Sequence, residues 1–348
     1  MPFVRNCWYV ALWSEDLHSG AIENRIILSE PVVFYRDQQG QPVALFDICP
    51  HRFAPLSKGR LLPGGGIACG YHGLEFGADG TCIRNPHGDR IPNRAQVKRY
   101  PLVEQDSLIW IWMGDQTPDP ALIPRYDFLD PVNGYTVTSR ETLTMPCDYR
   151  LIVDNLLDLS HINFLHDGIL GHADAPRADI SVTTGDRWVE VTRISRNLPV
   201  PALFAMLLND GSERGDLWNT IRWDLAGCLK NDALVCPVGA DRNDGDGIFG
   251  AHLLTPVTEE TTLYHIAAAR QKTARAGSET SEEVRQRLGE LRRFAFEMQD
   301  QPMIAAQAEI MRKYPEATHH PVFLEIDTGP AQAQAIIKRH IAAENSPA

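Results

Sequence analysis

Two short stretches of the chain carry metal-binding side chains at a telling spacing. Cys49-Pro50-His51 is followed, seventeen residues later, by Cys69-Gly70-Tyr71-His72. Structural zinc sites separate their paired ligands by two to four residues, so that both grip one ion. Cys49 and His51 have a single residue between them, so their side chains diverge and suit two adjacent irons better than one zinc. A two-iron, two-sulfide cluster fits this pattern, with Cys49 and Cys69 on one iron and His51 and His72 on the other. The tip between the loops, Pro63-Gly64-Gly65-Gly66, supplies the turn that brings them together. A zinc module and coincidental buried thiols are the competing readings.

A second constellation follows in Asn155, Asp158, His161 and His166. The pattern predicts a helix over 149–162, with Asp148 as N-cap and Asp167-Gly168 as stop. Asn155, Asp158 and His161 recur at i, i+3, a polar ridge that is costly to bury unless bonded or metallated. His161 and His166 would point about 140° apart on a regular helix, so both reach one metal only if the helix ends or widens between them. Two histidines and a carboxylate on one face form the triad of non-haem Fe(II) oxygenases, which leaves positions open. A second helix, predicted over 281–312, offers Asp300. Val284, Leu288, Leu291, Ala295 and Met298 mark its apolar face; Asp300 lies off it, two residues before Pro302. Pro302 cannot donate to the Met298 carbonyl, so a kink is expected there. On residues alone, Asp300 competes with Glu297 and Glu309 for the carboxylate role.

The elements that must position these residues read as α+β. Ile26-Ile27-Leu28, Val32 to Tyr35 and Val43 to Phe46 read as strands, with a hairpin turn at Asp37 to Gly40. Residues 108–113 are apolar on both alternating faces, as in a fully buried strand. His87, in the Asn85-Pro86-His87-Gly88 turn, reads as loop chemistry rather than as a fifth ligand. Thr117-Pro118-Asp119-Pro120 marks a domain boundary, giving a β-rich domain over 1–118 and a second domain over 119–348. Further strands are expected over 135–145, 180–195, 220–238, 248–254 and 262–269, and residues 344–348 are expected to fray. At 348 residues, 43% apolar and 22% charged, the chain suits two globular domains. A net charge of −12 argues against nucleic acid as partner. Of seven cysteines, the five outside the motif (Cys7, Cys82, Cys147, Cys228 and Cys236) are scattered without disulfide-like pairing; with the lack of a leader or of an ~18-residue apolar run, this points to the cytoplasm and away from membranes.

With both motifs in view, the sequence resembles the Rieske non-haem iron oxygenases, catalytic α subunit, over nearly its whole length. Within that family it is most similar to the vanillate and dicamba O-demethylase group. Local matches include Arg5-Asn6-Cys7-Trp8-Tyr9-Val10, Asp47-Ile48-Cys49-Pro50-His51-Arg52, Tyr71-His72-Gly73-Leu74, Asp154-Asn155-Leu156-Leu157-Asp158-Leu159 and His252-Leu253-Leu254-Thr255-Pro256. The resemblance implies a Rieske [2Fe–2S] domain followed by a helix-grip catalytic domain, with Asp300 joining His161 and His166 on a mononuclear Fe(II). It implies a head-to-tail homotrimer and a separate reductase carrying flavin and a plant-type [2Fe–2S] centre, fed by NAD(P)H. Asn231 and His252 fall where that group lines its substrate pocket; the plain alternative is a satisfied polar group in a strand. Leu291 stands where the herbicide demethylase carries an aromatic residue. The implied reaction consumes O₂ to hydroxylate a small aromatic substrate, foremost by demethylating an aryl methyl ether; hydroxylation of an aryl methyl or of a ring is the near alternative. A protein that only transfers electrons is the remote one, since 230 residues beyond 118 exceed what it needs. Asn155 and Asp158 are expected to serve catalysis. Asp158 either orients the His161 ring or bridges His161 to His72 of the next chain.

Overall fold

The computed structural model describes residues 2–138, 140–172, 178–205, 213–271 and 282–346, with the backbone alone at 131, 271 and 282–285. The chain divides into two compact units: Arg5–Ile123 with Thr255–Thr258, and Met1–Val4, Pro124–Leu254 and Glu259–Ala348. The first unit runs on to Ile123 because the Trp8 indole N–H donates to the Asp119 carbonyl (2.8 Å), tying in the proline stretch.

The first unit is built of short antiparallel strands. Leu108–Trp112 lies between Trp8–Trp13 and Leu102–Gln105, and all five of its residues are buried, as its unbroken apolar run requires. A four-stranded sheet joins Glu23–Ile27, Glu30–Arg36, Pro42–Phe46 and Arg99–Tyr100. The first strand ends one residue earlier than expected: Leu28 and Ser29 both take positive φ (49° and 65°) and form the two-residue hairpin turn themselves. A second four-stranded sheet, Arg60–Leu61, Ile67–Ala68, Glu75–Phe76 and Cys82–Arg84, carries the cluster loops.

The second unit is dominated by an eight-stranded sheet. Asp179–Thr184, Trp188–Pro199, Arg214–Asp224, Cys228–Cys236 and Asp246–Thr258 pair antiparallel or as neighbours in sequence order, and Thr261–Gln271 follows. Tyr135–Val137 and Glu141–Met145 both pair with Thr261–Gln271. The α+β expectation thus holds. The helices differ from it in three ways. The predicted 149–162 helix is two: Tyr149–Leu157, capped by the Asp148 carboxylate on the Arg150 N–H (2.8 Å), and Ile162–Leu165. Asp158 breaks the run with ψ 89°. The long second helix does not simply kink at Pro302; it widens over Phe294–Asp300 between Glu282–Arg293 and Gln301–Lys313. The Gln301 N–H reaches back five residues to the Phe296 carbonyl, so the ladder is rearranged before Pro302 interrupts it. The third helix, Thr328–Asn345, was not anticipated and extends into the segment expected to fray; residues 347–348 lie outside those described. Among the described residues no helix is long and apolar enough to cross a membrane.

Candidate metal centres and substrate cavity

The two cysteine loops of the first unit have one backbone design. The Cys49 N–H donates to the Ala54 carbonyl (2.9 Å), and the Phe53 N–H returns to the Cys49 carbonyl (2.9 Å). In the other loop, Cys69 and Leu74 (2.8 Å) and Gly73 and Cys69 (3.0 Å) repeat both bonds. The fifth residue of each loop is left-handed, Phe53 at φ 59° and Gly73 at φ 73°. Glycine adopts this freely, whereas a phenylalanine there is held at a cost of about 1–2 kcal/mol. The cysteines are buried in the core among Leu45, Leu56, Ile67 and Phe76, and burial pushes the Cys49 thiol up, with Cys69 beside it adding to the effect. The His51 and His72 rings lie 4.6 Å apart by centroid, with His51 exposed and His72 half-buried. The exposed Tyr71 ring lies 4.0 Å from the His72 ring by centroid. Buried Asp47 fixes the first loop through Ser57 N–H (2.7 Å) and Oγ (2.6 Å). His87 Nε2 donates to the His72 carbonyl (2.8 Å), which gives this residue a supporting task. The Pro63–Gly66 tip turns through Gly65 at φ 80°, and a Cβ on Gly66 would stand 2.3 Å from the Phe76 carbonyl oxygen.

In the second unit His161, His166 and Asp300 converge. Among the described residues they are the only three His, Cys, Asp or Glu side chains whose ligand atoms all lie within 4.8 Å of one another. His166 Nε2 lies 3.2 Å from Asp300 Oδ2, and His161 Nε2 lies 3.6 Å from Asp300 Oδ1. As expected, the helix ends between the two histidines: Ile162–Leu165 stops short of His166, whose backbone leaves helical geometry (φ −112°, ψ 32°), and both rings can face one point. Both Nδ1 atoms are occupied, His161 donating to the Asp158 backbone carbonyl and His166 to Gln299 Oε1 (2.8 Å). Each Nε2 is thereby left as the bare acceptor that a metal needs. Burial lowers the His161 pKa against the pull of Asp300; burial also opposes protonation of His166, but Asp300 and Gln299 outweigh it. The residues fit a mononuclear iron.

The supporting residues fall into place unevenly. Asn155 Nδ2 donates to Asp300 Oδ1 (3.2 Å), so it steadies the carboxylate without lining the cavity. Asp158 does not orient His161 through its carboxylate, as one reading had it. That group instead caps Ser160, accepting its N–H at 2.9 Å, because the chain leaves the helix there and turns the backbone carbonyl toward the ring. Gln299 gave no sequence signal beyond its place beside Asp300.

The triad opens on a cavity of about 170 Å³. Alternate residues of neighbouring strands form one wall: Asn219 and Ile221, Asn231 and Ala233, then Ile248, Gly250 and His252. Leu288, Ala295 and Phe296 close the other side. Asn231 and His252 both line it. His252 is held through Nδ1 by the Tyr264 hydroxyl, and burial, aided by nearby Arg292, pushes it down to about 3, so the ring is neutral.

Residues 7–101 match the Rieske [2Fe–2S] domain family, and residues 145–343 match the vanillate O-demethylase oxygenase C-terminal domain family, more than half of the chain. The chain belongs to the Rieske oxygenases. The dicamba O-demethylase oxygenase component of Stenotrophomonas maltophilia is 39% identical over 78% of this chain and 79% of its own. The chloroacetanilide N-alkylformylase oxygenase component of Rhizorhabdus wittichii (strain DC-6 / KACC 16600) is 34% identical over 99% and 97%. The crystal structure of dicamba monooxygenase bound to 3,6 dichlorosalicylic acid superposes with a TM-score of 0.89 at 33% identity, covering both chains fully. This Rieske oxygenase is thus an oxidoreductase, the oxygenase component of a multicomponent system that has a separate reductase, and its cofactors are a [2Fe–2S] cluster and a mononuclear iron.

Proposed function

We propose that the enzyme demethylates a methoxy-substituted aromatic acid. The observation that carries this is the cavity itself: a mostly apolar slot, sized for one small ring, with the His161–His166–Asp300 group on its wall. Cys49, Cys69, His51 and His72 would hold the cluster; His161, His166 and Asp300 would hold the iron. The bound iron would supply oxygen activation at positions left open by two histidines and one carboxylate. Around it, Asn155 and Gln299 fix Asp300 and His166, and Asn231 with neutral His252 offers polar contacts to the substrate. Hydroxylation of the ether methyl gives a hemiacetal that collapses to a phenol and formaldehyde; O₂ and two electrons with two protons balance these products and one water.

A domain boundary near 118, a head-to-tail homotrimer, and a reductase with flavin and a plant-type [2Fe–2S] centre drawing on NAD(P)H belong to the same proposal. In such a trimer, Asp158 would link His161 to His72 of the adjacent chain. The test is incubation with a reductase, NADH and a panel of methoxybenzoates. Formaldehyde should appear in proportion to O₂ consumed. Silence across the panel, with turnover of an aryl-methyl sulfonate, would replace demethylation by methyl hydroxylation.

A further inference from the structure

The cavity wall carries two arginines, and only one of them is hydrogen-bonded to a carboxylate there. Arg270 is gripped by Asp246, which takes its Nε at 3.3 Å and its Nη2 through the other carboxylate oxygen. Arg292 has no such partner. Its Nη2 stands 3.6 Å from Glu141 Oε1, too far for a hydrogen bond, while Arg293 occupies that same oxygen at 3.0 Å. Arg292 Nη1 is enclosed and has no hydrogen-bond partner among the described residues. Two guanidinium groups thus share one carboxylate, and the inner one faces the cavity. The remaining polar wall does not offset it: His252 is neutral and Asn219 and Asn231 are uncharged, while Asp300 belongs to the triad. An arginine cannot shed its proton to escape burial, so its unused donors favour an anion.

We infer that Arg292 anchors the acid group of the substrate, a singly charged oxyanion on an aromatic ring, either carboxylate or sulfonate. A guanidinium matches such a group with two parallel N–H···O bonds. Arg292 and Asp300 lie eight residues apart on one helical stretch, at most roughly 12 Å of rise. Helical side chains lean toward the N-terminus, so the guanidinium is carried away from the triad. The interval accommodates one substituted ring, with the acid at one end and the reacting methyl at the other. Gly250 keeps the neighbouring wall clear: a Cβ there would stand 2.9 Å from His252 Nε2 and 3.3 Å from Asn231 Cβ. The identity of the reaction rests on the proposal above; the anchoring does not.

The test is equilibrium binding to the full-length, iron-loaded protein by calorimetry. The probes are the three methoxybenzoates, 4-methoxybenzenesulfonate, and the neutral methoxybenzamides. Wild type should bind at least one acid about tenfold or more tightly than its amide, as charge-assisted bonds imply. Arg292→Gln should erase that margin by weakening the acid alone, and Arg292→Lys should keep part of it. The melting temperature of Arg292→Gln should hold or rise, because Glu141 keeps Arg293. Equal affinity of acid and amide in wild type, no binding of any anion, or an unchanged margin in Arg292→Gln would each overturn the assignment. So would a lower melting temperature with acid and amide weakened alike, which marks a structural role. An Arg292-dependent margin without formaldehyde release would leave the anchor standing and refute demethylation. Formaldehyde release from wild type without such a margin would do the reverse.

Discussion

At the scale of single residues, the iron site depends on which ring nitrogen of each histidine is left bare. Gln299 Oε1 is the acceptor that commits His166 to presenting Nε2. Gln299→Leu should therefore weaken iron binding about 10- to 100-fold, as loss of such orienting partners does, while the visible spectrum of the cluster is unchanged. Iron per chain after dialysis against a graded chelator measures this, and wild-type retention would show that packing alone orients the ring. The four cluster residues were legible because spacing encodes their chemistry. His161 and His166 were legible as a pair, and so was the need for the helix to end between them, though not the earlier break at Asp158. Asp300 stood equal to Glu297 and Glu309 until the resemblance singled it out. Gln299 and Arg292 were illegible, since a glutamine or arginine in a polar helix looks the same whether it meets water or a cavity.

At the scale of elements, the half-buried carboxyl of Asp154 links two helices, accepting from Gln334 Nε2 (2.8 Å) on Thr328–Asn345. Burial pushes it up to about 6 from 3.8, against the opposing effects of Gln334 and Arg150. The folded state thus holds this proton to higher pH than the unfolded chain does. Stability should fall as pH rises from about 4 to above 6, by a total on the order of 3 kcal/mol. Asp154→Asn keeps an acceptor for Gln334 and should flatten that part of the profile and raise stability at pH 8. Denaturant midpoints across pH 4–8 decide it; a variant with the wild-type slope would exonerate Asp154. Sequence periodicity located most strands because alternation survives in a one-sided sheet. It misjudged the long helix because a 3.6-residue repeat was carried through a stretch that does not keep it. Met298 was placed on the apolar face and is 63% exposed. Val284's side chain lies outside the described residues.

At the scale of the whole molecule, activity in the proposed trimer depends on assembly, because each chain's iron would draw on its neighbour's cluster. Asp158→Asn preserves the acceptor that Ser160 uses, so it should leave both metal sites filled and the trimer intact by light scattering. The cluster should still reduce, but its reoxidation in single turnover with substrate and O₂ should slow by orders of magnitude. Wild-type reoxidation would remove Asp158 from the electron path, and loss of iron would make its role local. Nothing in a single sequence specifies such an arrangement, since the residues concerned would meet only across copies.

The widened stretch Phe294–Asp300 has one more consequence. On a regular helix, eight steps would leave Arg292 and Asp300 about 80° out of phase; one extra residue in a wide turn takes up most of that angle. These seven residues behave as a vernier, setting the rotation of the triad's carboxylate against the cation two turns earlier. Several of their side chains could change without altering that setting. Their number could not, so in this stretch it is length rather than composition that the fold specifies.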